Sequence, residues 1–542
     1  MYLNFSDIPG QNNLFLDYLY EFENVSEFYN GLNYRDPETY YRVFKSQCEK
    51  TRPHRKKLAE ILSEQYKDSN PAGITLKNIQ LLSSQNTVAV VTGQQLGLFG
   101  GPLYTFYKII TAIKLCSHLR NIYTDYSFVP VFWMEGDDHD FREVAGVNIL
   151  DQANEIEKLI YDDNQPSEVN RGSVGRITFG PGINEVIEKL NNLLRDTDFK
   201  SKLVGLLGTF YKEGRTFKQS FRDLLFHFFD EFGLIIFDPQ DKQIKEILRD
   251  IFKKEINNFR NHTDELVKRS ARLEELYHAQ VKVNPVNLFY NDDDGRYLIE
   301  PVDDQFRLKG KRKRFSREEL LELIDASPER FSSNVLLRPI CQDYIFPTAF
   351  YVGGPAEISY FAQLIPLYGF YDIPQPIIYP RSSATILEKG LINVMDKYSL
   401  GLKDLFMDKK TLHEKVLRDI SGDGTEILFN KAVDAVNDSM ERLQERLNEI
   451  DKTLNDSAVK TREKIQQGLE ILRNKTMAAE KKKHESTIRQ LDKLSNILYP
   501  LQNLQEREFS FIYYAHKYGL DIIKQINNEL TINKFEHQII EL

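Results

Sequence analysis

Between Val88 and Met134 the chain carries the pattern that most narrows its fold. An apolar run, Val88–Val91, leads into the glycine-rich segment VVTGQQLGLFGGPLYT (Val90–Thr105), then a helical stretch entered near Pro102, then a second apolar run, Phe128–Met134. Two short apolar strands joined through a helix run parallel, because a tight hairpin turn reverses direction and a crossover restores it. Further runs of strand length, Leu234–Phe237, Thr348–Val352 and Pro376–Tyr379, are bounded by glycine or polar residues. Together they predict an open parallel sheet of the α/β class. The 542 residues exceed what one core accommodates. The surplus lies between strands, predicting a core over 1–385 with inserted connecting subdomains at about 147–231 and 242–333. In the second insert, Ser316 and Glu319 have capping-box spacing and start a helix, while the basic run KGKRKR (Lys309–Arg314) reads as a solvated, mobile loop.

After Arg381 the character changes, and from about Val433 to Leu498 the chain is rich in Glu, Lys, Arg, Gln and Asn. Leu443, Leu447, Ile450 and Leu454 recur at helical intervals and form one seam; Ile488, Leu491, Leu494 and Ile497 form a second. The stretch is too long for one ordinary helix, and Asn455, Asp456 and Ser457 offer a turn between antiparallel arms. An α-helical antiparallel coiled-coil domain is expected over 386–500, joining two chains as a homodimer; a hairpin that buries its seam internally would carry the same pattern. The segment 501–542 is expected to pack back on the core.

Charge and cysteine usage narrow the partners. A formal charge of -9 disfavours nucleic acid, whose binding draws on clustered Lys and Arg. Cys48, Cys116 and Cys341 lie far apart without a C-x-x-C pair, which fits reduced thiols in a cytoplasmic protein. The opening MYLNFSDIPG lacks the marks of a secretory signal, and no stretch approaches the roughly 20 apolar residues of a membrane span.

Ligands of open parallel sheets bind beyond the carboxyl ends of the strands. That rule selects Gly93, Gln94 and Gln95, then Glu135–Asp140, Asp238, Gly353–Glu357 and Arg381, with Tyr104 and Tyr360 in the same segments. The first loop matches neither a dinucleotide nor a Walker fingerprint, but the amides of a helix starting at Pro102 could receive a carboxylate or phosphate. The loop WMEGDDHDF sets Glu135, Asp137, Asp138 and Asp140 around His139. Their repulsion should raise at least one carboxylate pKa, and an adjacent carboxylate should favour protonated His139. A helix N-cap at Asp137 or Asp138 and a structural His139 are the plainer alternatives. A divalent ion is a third, but the ligands are crowded and lack a second histidine, so no tightly bound metal is expected. Arg338 and Arg381 are suited to carboxylates through their planar forks. Cys341 has no nearby histidine and reads as a small buried residue.

The segments TGQQLGLFGGPLYT, GDDHDF and YVGGPAEISYF followed by YPR, with LQEREFSFIYYAHKYG near the end, resemble the signature segments of the BshC family over nearly the whole chain. The resemblance implies a Rossmann-like core with architectural kinship to class I aminoacyl-tRNA synthetases, and a coiled-coil dimerisation domain. It also implies a ligase that joins cysteine to the amine of glucosaminyl malate, giving bacillithiol. Nucleotide use, ATP or ADP, is implied too, with ADP in a pocket involving the helical hairpin and C-terminal segment and Arg507, Tyr518 and Gly519 as candidate contacts. On that footing Asp138 or His139 handles the amine proton and Lys108 stabilises developing negative charge. Gln94, Gln95, Tyr104, Asp137, Arg338, Gly353, Gly354, Glu357, Tyr360 and Arg381 bind substrate. The H-x-G-H and K-M-S-K-S motifs of the synthetases are missing, so adenylate chemistry is not assigned residue by residue. A nucleotide-binding scaffold and an aminoacyl-transfer enzyme acting on tRNA are the competing readings.

Overall fold

The computed structural model describes residues 1–421, 424–451 and 453–542. They form two compact units, 1–385 with 505–540, and 386–504 with 541–542.

In the first unit the elements that position the site are β1 (Thr87–Gln95), α1 (Tyr104–Ile122), β2 (Ser127–Glu135), β3 (Ile235–Phe237), α2 (Arg338–Ile345), β4 (Thr348–Gly353), α3 (Pro355–Phe361) and β5 (Ile377–Pro380). The five strands are all parallel, in the order β5-β4-β1-β2-β3. Each apolar run becomes a strand because both sheet faces are covered: residues 87–93, 128–134, 348–353 and 377–380 are buried without alternation. The chain grows outward from β1 on one side, then returns to add β4 and β5 on the other. This is a Rossmann-like sheet with its topological switch point between β1 and β4.

Two glycines of the first loop are sterically required. A Cβ on Gly93 would stand 2.8 Å from the Trp133 carbonyl oxygen on the neighbouring strand. One on Gly97 would stand 2.6 Å from the Gly101 Cα. Contrary to the sequence expectation, Pro102 precedes α1. The Leu103 amide donates to the Phe509 carbonyl at 2.7 Å, and the amides of Thr105 and Phe106 bond within the turn. Those donors therefore have partners and do not form the expected anion site.

Between β2 and β3 the chain inserts a hairpin (Gly146–Leu150 with Ile156–Ile160) and the helices Gly182–Leu193, Lys200–Phe210 and Phe217–Phe229. Between β3 and α2 it inserts the helix Arg249–Glu274 and a five-stranded antiparallel sheet that includes Leu288–Asp292, Gly295–Val302 and Phe331–Ser333. The expected capping box is present, with Glu319 N donating to Ser316 Oγ and Ser316 N donating to Glu319. The basic run is solvated as its composition suggested, with Lys309, Arg312, Lys313 and Arg314 exposed. Lys311 and Lys313 reach Asp292 at 3.5 and 3.0 Å, because the acidic turn of the neighbouring hairpin lies across from them.

In the second unit, α4 (Lys409–Ser421) precedes a helical hairpin of α5 (Gly424–Ile450) and α6 (Leu454–Lys483), followed by α7 (Glu485–Leu498). Gln466 donates to Asn437 and Arg473 to Asn430, each at 2.8 Å. Pairing partners move in opposite directions along the two arms, so the arms are antiparallel. The turn lies earlier than expected: Asp451 accepts from Thr453 N and Oγ1, and Asn455–Ser457 fall in the first turn of α6. The two sequence seams also differ in fate. Leu491, Leu494 and Ile497 are buried on α7, which packs against α4, whereas Leu443, Ile450 and Leu454 are 48%, 66% and 36% exposed. No helix among the described residues is long and apolar enough to cross a membrane.

Candidate active site

The carboxyl ends of β1, β2, β4 and β5 open onto a cleft of about 730 Å³ at the switch point. Of the residues selected from sequence, Gly93, Gln94, Gln95, Tyr104, Lys108, Glu135, Asp138, His139, Arg338, Gly354, Pro355, Ala356, Glu357, Tyr360, Arg381 and Arg507 line it.

One wall is organised by Lys108, one turn into α1 and buried. Its ammonium meets Glu357 Oε2 at 2.6 Å, Gln94 Oε1 at 2.8 Å and the Gly93 carbonyl at 3.0 Å. Glu357 also accepts from the Gly354 amide at 2.8 Å and from the Tyr351 hydroxyl at 2.5 Å. Gln94 Nε2 donates to Tyr104 Oη at 3.0 Å. Burial alone would raise the Glu357 carboxyl, but Lys108 and the Gly354 amide outweigh it and hold it below the usual range. All three N–H bonds of Lys108 have acceptors, so this lysine ties loops together more readily than it meets a ligand.

The acidic loop divides its side chains between the cleft and the core. Asp137 points away, bonded to Lys245 at 2.6 Å and Gln240 at 3.1 Å. Asp138 accepts from its own loop amides, His139 N at 2.6 Å and Asp140 N at 3.3 Å, and from Gln95 Nε2. Asp140 caps the short helix Phe141–Val144. Among the described residues no group of His, Cys, Asp or Glu is arranged to hold a metal ion. Glu135, opposite Gln95 in the β1–β2 register, lines the cleft. Burial, then Asp137, and further Asp138 push its carboxyl up to about 7 against the pull of Arg338 and Arg296. The expected carboxylate repulsion thus falls on Glu135.

For His139 the expected charge is reversed. Burial and then Arg296 hold its pKa below the ordinary histidine value, outweighing Asp138 and Asp140. Arg296 Nη1 donates to His139 Nδ1 at 3.0 Å. Because a guanidinium cannot accept, Nδ1 is the unprotonated nitrogen and Nε2 carries the hydrogen.

Arg296 escaped the strand-end rule because it comes from the inserted antiparallel sheet. It stacks 3.8 Å from the Phe289 ring centroid and donates to Ser332 Oγ and the Ser333 carbonyl, each at 2.9 Å. Arg338, at the start of α2, donates to Tyr360 Oη at 2.6 Å, Gln342 at 3.0 Å and Tyr351 Oη at 3.3 Å. Both guanidiniums are buried and, among the described residues, donate only to neutral acceptors. Arg381 differs: its partner is Glu506 at 2.6 Å, a fully buried carboxylate of the segment 505–540 that also accepts from Ser383 Oγ and the Ala384 amide. Glu506 carries no signal in sequence beyond its place in LQEREF. Trp133 and Tyr351 were hidden inside apolar runs.

Gly353 lies at the end of β4 behind the cleft lining. Tyr518 and Gly519 lie at the end of the helix Ile512–Tyr518, where Gly519, at φ 85°, closes on Phe199; neither lines the cleft. Of the three candidate nucleotide contacts, the exposed Arg507 alone reaches it. Cys48, Cys116 and Cys341 are free and buried, and burial pushes the Cys116 and Cys341 thiols up to about 12, unsuited to nucleophilic work.

The His139 geometry is directly measurable. Imidazole nitrogen NMR should find the neutral Nε2–H form with a midpoint below the usual histidine value, and Arg296→Gln should move that midpoint upward by removing a neighbouring cation. An unchanged midpoint would refute the Arg296 contact.

Family models match in two adjoining parts: the N-terminal Rossmann-like domain of bacillithiol biosynthesis BshC over residues 1–382, and its C-terminal coiled-coil domain over 384–542. Among curated relatives, proteins of Salinibacter ruber, Chloroherpeton thalassium and Prosthecochloris aestuarii, each named "Putative cysteine ligase BshC", are 35%, 34% and 33% identical. The alignments cover 97%, 97% and 98% of this chain and 96%, 96% and 97% of theirs. Matched in both domains and along almost its whole length, the chain belongs to the BshC family of ligases.

Proposed function

We propose that this chain joins the carboxyl group of cysteine to the amine of glucosaminyl malate, giving bacillithiol, and that ATP activates the carboxyl group. The observation that carries the reading is the pairing, in one strand-end cleft, of two buried arginines lacking carboxylate contacts with a cluster of carboxylates. An acceptor that bears malate carboxylates on one side and an amine on the other matches that division of charge.

Within this reading, Arg338 and Arg296 receive carboxylates, and Arg381, already paired with Glu506, shapes the wall beside Tyr104. His139 offers its Nε2–H to a substrate oxygen, Asp138 and Gln95 fix the loop that presents it, and Lys108 and Glu357 hold the opposite wall. Arg507 at the rim is suited to the phosphates of the nucleotide, which supplies the driving force that amide formation in water requires. Free buried thiols agree with a cytoplasmic location. We further propose that the exposed Leu443, Ile450 and Leu454 seam pairs with a second copy of the chain, since exposed apolar rows of this kind mark association surfaces.

Two measurements check these statements. Purified protein given cysteine, glucosaminyl malate and ATP should form bacillithiol with one ADP or one AMP released per amide bond; the absence of amide product across varied pH and added divalent ions would overturn the assignment. Sedimentation velocity should give the mass of two chains, falling to one in Leu443→Glu/Ile450→Glu, whereas a single-chain mass for the unaltered protein would remove the dimer.

A further inference from the structure

Glu135 stands apart from the other carboxylates of the cleft. Glu357 is paired with Lys108, Asp138 is bonded to its own loop and to Gln95, and Glu143 also accepts from Gln95, at 2.8 Å. Glu135 has one hydrogen bond among the described residues, from Trp133 Nε1 to Oε2 at 3.1 Å; Oε1 accepts none. It is the last residue of β2, a central strand of the parallel sheet, so its backbone is held by a ladder on one edge and its side chain faces the cleft. The charged groups that act on it come from the surrounding elements: Asp137 and Asp138 from the following loop, Arg296 from the antiparallel insert and Arg338 from α2.

We infer that Glu135 is the general base that takes a proton from the acceptor amine. The inference rests on the amide-forming reading above and adds to it the residue that activates the nucleophile. An ammonium ion entering between the arginine-bound carboxylates and Glu135 meets an ionised carboxylate with an open oxygen. It gives one proton to that oxygen, leaving a neutral amine and a carboxylic acid. The freed lone pair attacks the carbonyl carbon of a cysteinyl donor of the mixed phosphoric anhydride class. The C–N bond forms, the bond from that carbon to the phosphate oxygen breaks, and the electron pair leaves on that oxygen. The nitrogen's second proton passes to water as the neutral amide forms, and Glu135 returns its own proton to solvent.

The pKa of this carboxyl, about 7, suits the task, since a base works best when it titrates near the operating pH. His139 is poorly placed for the same role, because Arg296 occupies its only unprotonated nitrogen.

The test uses the full-length protein with cysteine, glucosaminyl malate and ATP. Glu135→Gln should lower kcat by roughly 10²- to 10⁴-fold, the usual contribution of a positioned base. The acceptor KM should change only a few-fold, and the acid limb near pH 7 in kcat/KM should be lost. Glu135→Asp, which keeps the carboxylate, should retain that limb at a reduced rate. Matching thermal melts separate these effects from misfolding. A Glu135→Gln protein that keeps the parental rate or the acid limb would overturn the inference. So would a Glu135→Asp protein without the limb. If the unaltered protein makes no amide at all, the amide-forming reading fails instead.

Discussion

The ion pair between Lys108 and Glu357 holds together the parts from which the cleft is made. Three elements meet in it: α1 supplies the lysine, the start of α3 supplies the glutamate, and the end of β1 supplies the Gly93 carbonyl and Gln94 side chain. At 2.6 Å, with side chains 4% and 17% exposed, the charges are largely out of water. Such a pair adds little net stability over an apolar substitute, but leaving one member unpaired costs about 3–5 kcal/mol. Its value is geometric: it fixes β1 and β4, the two strands flanking the switch point, in one arrangement. The close approach of β1 to β2 at Gly93, where no side chain fits, sets the third wall.

With that frame fixed, the charges of the cleft divide by partner. Lys108 and Arg381 each face a carboxylate, whereas Arg296 and Arg338 are held by hydroxyls, carbonyls, an amide side chain and an imidazole. Glu135 lies within the field of the latter two and of two aspartates, and burial tips the balance toward its neutral form near pH 7. A carboxylate near its titration midpoint beside two arginines free of carboxylate contacts is a chemical arrangement, and packing alone has no need of it.

Much of the sheet was legible because a strand buried on both faces leaves an unbroken apolar run, and five such runs recur in this chain. The strand-end rule then reached the part of the cleft lining that lies at the ends of β1, β2, β4 and β5 without contact information. What it missed came from elsewhere in the chain: Arg296 enters from an antiparallel insert, and Glu506 from the segment after the helical unit. Local spacing cannot announce either. Pro102 misled because the Phe509 carbonyl takes the Leu103 amide ahead of α1. The turn lies before Asn455 because Asp451 accepts from Thr453 through its side chain and α6 already begins at Leu454. The charge of His139 is not legible in its acidic sequence neighbours, because burial and Arg296, brought in from the insert, outweigh them in space.

The central claim is that the strand-end cleft receives the carboxylates of the acceptor through arginines that have no carboxylate of their own. Isothermal titration of glucosaminyl malate into the unaltered protein and into Arg338→Gln tests it most directly. Loss of a charge-assisted contact of about 1.5–3 kcal/mol predicts affinity weaker by roughly 10- to 100-fold, with an unchanged melting profile. Equal affinity in the two proteins would place the acceptor outside this cleft and contradict the account.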